Sequence, residues 1–64
     1  MDLKEWRQAQ GMTQVEAAEF FDVTQSMVSA WERGAKRPAD VHLRSINDKT
    51  AGQVTPNDFI LTDA

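Results

Sequence analysis

The sequence contains no cysteine and a single histidine. Without a thiol there is no disulfide framework and no thiolate metal site, and a lone imidazole cannot anchor a zinc ion. No apolar run approaches the roughly 18 residues that a membrane-spanning helix needs. The start "MDLKEW" offers neither the basic segment nor the apolar stretch of a secretory leader. These absences point to a soluble, cytoplasmic protein with no membrane partner, no cofactor and no metal. At 64 residues the chain makes one domain, 1–64, of a size that buries only about 60% of its extended surface. The core must be small, and dimerisation is a natural supplement to it.

Positive charge is also scarce: 7 Lys and Arg against 10 Asp and Glu give a net −3. That is awkward for a polyanionic partner, since affinity grows with the number of cations brought to phosphates. Distribution matters more than the sum. Arg33, Lys36 and Arg37 fall in a segment that holds no acid, whereas Glu16, Glu19 and Asp22 gather just before it. The pattern is a basic patch on an acidic body.

What is present is helical spacing, punctuated by caps. "DLKEWRQAQG" predicts a first helix over Leu3–Gln10, with Asp2 as cap, Leu3 and Trp6 on one face and Gly11 as a left-handed stop. Thr13 and Glu16 form the capping box T-x-x-E of a second helix, in which Ala17, Ala18 and Phe21 share a face. Asp22 stands where the chain must leave that helix and is one of the few non-glycine residues that tolerates the αL region. Val23 plugs a tight turn, and Thr24 caps a third helix. The pair Thr-Gln, at Thr13-Gln14 and again at Thr24-Gln25, thus opens two successive helices.

On the third helix, Val28 and Trp31 fall with Thr24 on a core stripe. The opposite side carries Ser26, Ser29, Ala30 and Arg33, a face of small residues, hydroxyls and one arginine with no packing task. Met27 lies at the edge of both faces. Such a face can approach another surface closely, as entry into a major groove requires.

The stretch "TQVEAAEFFDVTQSMVSAWERGAKRP" resembles the helix-turn-helix of the phage Cro and repressor family, the XRE-type DNA-binding domains. The resemblance extends from about Leu3 to Pro38. It rests on the joint spacing of Arg7, Gly11, Thr13-Gln14, Ala18, Val23, Val28 and Trp31-Glu32 followed by Gly34. It implies sequence-specific binding of double-stranded DNA by a transcriptional repressor, through a recognition helix at about 25–33. It also implies a homodimer on a palindromic operator, in a bacterial cytoplasm. By the same resemblance, Ala18 is small where the second and third helices cross, and Arg7 pairs with Glu32. Gln14 bonds a phosphate and braces Gln25. Base contacts then fall to Gln25, Ser26, Ser29 and Ala30, with the Gln25 amide suited to adenine and the Ala30 methyl to thymine. Phosphate contacts fall to Gln14, Arg33, Lys36 and Arg37.

Three positions depart from the family pattern. Asp22 replaces the usual turn glycine, and Val15 and Phe20 stand where polar residues are common. Packing of that apolar strip against the C-terminal tail is the plainer explanation, and a partner surface is the other.

Beyond Pro38, Asp40 is expected to cap a fourth helix over Val41–Thr50, with Leu43 and Ile46 inward and Gly52 as stop. "VTPND" reads as Val54 in an extended piece, then a helix start with Thr55 as cap, Pro56 in the first turn and Asp58 completing a box-like contact. "AGQVTPNDFIL" also pairs as a β-hairpin. Phe59, Ile60 and Leu61 are consecutive apolar residues that no single face buries, so they divide between the core and a dimer or partner interface. The expected fold is all-α: a compact bundle of four to five short helices with helices 2 and 3 as the helix-turn-helix, and a tail that is a short helix or a hairpin.

Catalysis finds little support. The carboxylate pairs Asp2/Glu5 and Glu16/Glu19 have helical spacing, but no glycine-rich loop or nucleophile motif accompanies them. His42 reads as an ordinary surface or boundary residue, and Trp6 and Trp31 as core, since a base-stacking platform needs exposed rings among basic residues. The chain is not expected to be an enzyme or to hold a small-molecule substrate. The rival to DNA binding is an antitoxin or regulatory subunit that keeps the scaffold and works through protein contacts at Val15, Phe20 and the tail.

Overall fold

A computed structural model describes residues 1–59. Four α-helices succeed one another: α1 (Leu3–Ala9), α2 (Gln14–Phe21), α3 (Gln25–Arg33) and α4 (Asp40–Lys49). A 3₁₀ turn over Pro56–Phe59 comes after them. The described residues contain no strand, so the hairpin reading of the tail does not hold there.

Three of the four helices start on a side chain. Asp2 accepts from the Glu5 amide at 2.8 Å, and Thr24 accepts from the Met27 amide at 3.2 Å. Thr13 accepts from the Glu16 amide at 3.1 Å while the Glu16 carboxylate accepts from the Thr13 amide at 2.9 Å. That reciprocal pair satisfies two otherwise orphaned donors. α4 differs from expectation. Its cap position is Ala39, with no side-chain cap bond, and Asp40 is already inside the first turn. There the carboxylate still favours the positive end of the helix dipole.

All four helices end by the same device, an amide bonded back five residues with a left-handed residue before it. The bonds are Met12 to Arg7, Val23 to Ala18, Ala35 to Ala30 and Gly52 to Asn47. The left-handed residues are Gly11, Asp22, Gly34 and Ala51. α1 accordingly stops at Ala9, one residue short of the expected Gln10. At α4 the stop falls on Ala51 at φ 55°, not on Gly52, so an alanine occupies a backbone region that disfavours its Cβ.

The core gathers Leu3 and Trp6 from α1, Ala17, Ala18 and Phe21 from α2, Val28 and Trp31 from α3, and Leu43 and Ile46 from α4. Thr24, expected on the core stripe, is exposed, because its side chain is committed to capping α3. Val54 and Phe59 close the core from the C-terminal side. Phe59, grouped with Ile60 and Leu61 as an interface residue, is therefore a core residue; Ile60 and Leu61 lie outside the described residues. Phe20 and Val15 are exposed. Phe20 does not need the tail for company: its ring sits 5.7 Å from Trp6 and 5.1 Å from Phe21, and Lys49 donates to its carbonyl at 2.8 Å.

One buried polar residue joins α4 to the segment that carries Val54. The Thr50 hydroxyl donates to the Ile46 carbonyl at 2.7 Å and accepts from the Val54 amide at 3.1 Å. Nearby, the Asp58 carboxylate accepts from the Thr55 amide at 2.8 Å, and this bond first of all holds its pKa below the ordinary value.

Chemical denaturation should register both features. Thr50→Val should cost about 1–3 kcal/mol, because the Val54 amide is left buried and unpaired, whereas Thr50→Ser should cost much less. Ala51→Gly should stabilise by about 0.5–1 kcal/mol, the relief at positive φ exceeding the added chain entropy.

Candidate nucleic-acid interface

The orientation of α3 depends on Glu32. Its carboxylate is nearly sealed, with a side-chain exposure of 3%, and it accepts three hydrogen bonds. Arg7 donates from Nε at 2.6 Å and from Nη2 at 3.0 Å, and Gln14 donates from Nε2 at 3.2 Å. Arg7 also donates from Nη1 to the Met12 carbonyl at 2.9 Å, tying in the loop between α1 and α2. The bond to Glu32 raises the guanidinium pKa further. The family resemblance has Gln14 bracing Gln25; in the structure its amide turns instead to Glu32.

With Val28, Trp31 and Glu32 turned inward, the opposite side of α3 faces out. Gln14, Gln25, Ser26, Ser29 and Arg33 line one open concavity. Ser26 also borders a second, whose walls include Ala30, Lys36 and Arg37. The eight residues assigned to base and phosphate contacts thus lie along two adjoining hollows on one side of the molecule. Among the described residues no carboxylate lines either.

Gln25 and Ser26 are exposed, while Ser29 and Ala30 are half-buried. The Ser29 hydroxyl oxygen accepts from Arg33 Nε at 3.3 Å, which lays the arginine along the groove face and leaves the hydroxyl proton free to donate. Lys36 and Arg37 are exposed in the loop after Gly34. Met27 is half-buried against the core and also lines the second hollow.

Sequence spacing missed one neighbour. His42 borders the second hollow, its ring 5.5 Å from that of Trp31. It arrives from α4, and nothing in the local pattern of α3 or of its loop could have placed it there.

The carboxylate pairs lie elsewhere. Asp2 caps α1, and a side-chain hydrogen bond with Asp2 holds the Glu5 carboxyl above the usual range on a fully solvated first turn. Among the described residues no group of three His, Cys, Asp or Glu side chains is placed to hold a metal ion. No helix there is long and apolar enough to cross a membrane.

Two capped helices joined by a left-handed turn, the second with a free polar face, define a helix-turn-helix domain. The chain belongs to the helix-turn-helix family, in its XRE-type DNA-binding form, with residues 3–49 matched. No curated protein and no solved structure matches it.

Truncating either partner of the buried pair strands the other charge. Arg7→Ala and Glu32→Ala should each cost about 3–5 kcal/mol in urea unfolding. A joint replacement of Arg7 and Glu32 by methionine should recover most of that loss.

Proposed function

We propose that the chain is a sequence-specific, double-stranded DNA-binding transcriptional repressor of the phage Cro type. It acts as a single domain, 1–64, and as a homodimer on a palindromic operator. The observation that carries the reading is the acid-free run of hollows along the outer face of α3, where the net-negative chain concentrates its groove-sized and basic side chains. α3 enters the major groove. Gln25, Ser26, Ser29 and Ala30 meet base edges, and Gln14, Arg33, Lys36 and Arg37 hold phosphates on either side.

Gln14 serves two roles on this reading. Its amide is already engaged by Glu32, so its phosphate contact comes from the remaining N–H or from the amides at the start of α2. The Ser29 and Arg33 pair is a ready donor set, since neither group must leave an acid to reach DNA. The second reading, a regulatory subunit working through protein contacts, draws on the exposure of Val15 and Phe20. It gives no role to the groove face.

Selection of duplexes from a random pool tests the proposal. A two-fold symmetric consensus with half-sites about one helical turn apart supports it; no enrichment overturns it in favour of the protein-contact reading. On a selected duplex, Arg37→Ala should lower the salt slope by about 1 with the consensus unchanged. Gln25→Ala should relax the preference at one base pair, by about 1–3 kcal/mol.

A further inference from the structure

We propose that His42 is a further DNA-contacting residue, whose imidazolium joins Lys36 and Arg37 at a backbone phosphate and links DNA affinity to pH. The inference rests on the DNA-binding reading and deepens it.

His42 is half-buried near the start of α4, and its ring lies 5.5 Å from that of Trp31 at an interplanar angle of 48°. The ring therefore packs against a core indole and is positioned without a polar partner among the described residues. No buried side-chain nitrogen among the described residues lacks a hydrogen-bond partner, and the ring makes no hydrogen bond within the described chain. Its nitrogens therefore reach solvent.

The solvent they border is the hollow shared with Ser26, Ala30, Lys36 and Arg37. From the loop it is faced by two cations. From α3 it is faced by Trp31, Met27, Ala30 and Ser26, none of them ionisable near neutrality. The ionisable residue next to Trp31 in α3, Glu32, is turned inward to Arg7; Arg33 lines the other hollow, and Asp2 and Asp58 lie on the far side of Lys36, in a hollow that His42 does not border. On its own helix the nearest charges in sequence are Asp40 and Arg44. A wall with cations and no carboxylate is complementary to an anion, and along the outer face of α3 that anion is a DNA phosphate.

A phosphate placed there favours the charged imidazole over the neutral one. Binding of DNA is therefore coupled to uptake of a proton by the ring. The added affinity is therefore fully present at acidic pH and is lost as pH rises through the bound-state value. A phosphate contact carries no base information, so sequence preference should not move with pH.

The test is the affinity of the purified full chain for a selected duplex and for a scrambled one, between about pH 5.5 and 8 at constant ionic strength, a window that brackets the ordinary imidazole value. We expect both duplexes to bind about tenfold more tightly at the acidic end, the scale of one charge-assisted contact to a phosphate. His42→Phe keeps a ring against Trp31 and cannot protonate; it should bind with the same consensus and no pH dependence, as should His42→Gln. Wild-type affinity that is flat across this window overturns the proposal without any variant, so a misfolded mutant cannot shelter it. Variants that keep the acid gain overturn it too. Binding to neither duplex at any pH overturns the DNA reading itself, and this inference with it.

Discussion

The bidentate pair between Arg7 and Glu32 is the constraint on which the rest of the molecule leans. One sealed carboxylate receives α1 through Arg7 and α2 through Gln14, while Arg7 also holds the loop at Met12. An unpaired charge at that depth would be costly, so the three elements must meet at one relative orientation or not at all. The outer face of α3 inherits that orientation. Helix-turn-helix recognition needs α3 presented at a fixed angle, and this directional polar contact adds to the packed core in holding it.

The core itself is economical. Ala17 and Ala18 put small side chains on the buried face of α2, and Trp6, Phe21 and Trp31 supply the bulk of the core. In a domain of this size the last contributions come from outside the helix-turn-helix: Val54 and Phe59 are carried back onto the core by a chain that turns at Thr50. Repeating one left-handed stop at four helix ends keeps the connections short, so little of the chain is spent on loops that bury nothing.

Net charge is a poor guide to this molecule. The acids of α2 border neither of the two hollows on the outer face of α3, while Asp2, Glu32 and Asp58 gather in a third hollow that Arg33 and Lys36 also border. On the proposed reading, an overall negative chain slows indiscriminate association with DNA, while the local patch preserves contact where α3 fits. That arrangement favours discrimination over raw affinity.

Caps, stops and helical periodicity are short-range properties, and the order of residues along the chain is enough to specify them. Asp2, Thr13 with Glu16, and Thr24 announce helix starts because their side chains bond amides within the next turn. Gly11 and Asp22 announce stops because few residues tolerate positive φ. The same local logic placed Ser26, Ser29, Ala30 and Arg33 on one face of α3. It missed Ala51, an alanine in a left-handed position held there by bonds from neighbouring residues. It also missed Ala39 at the start of α4, where no side chain signals the cap. Three further matters were settled only by packing between elements: that Gln14 turns to Glu32 and away from Gln25, that Phe59 belongs to the core, and that His42 comes to the rim beside Lys36 and Arg37. Each depends on groups far apart in the chain meeting in space, and periodicity within one helix carries no information about which distant side chain will stand opposite.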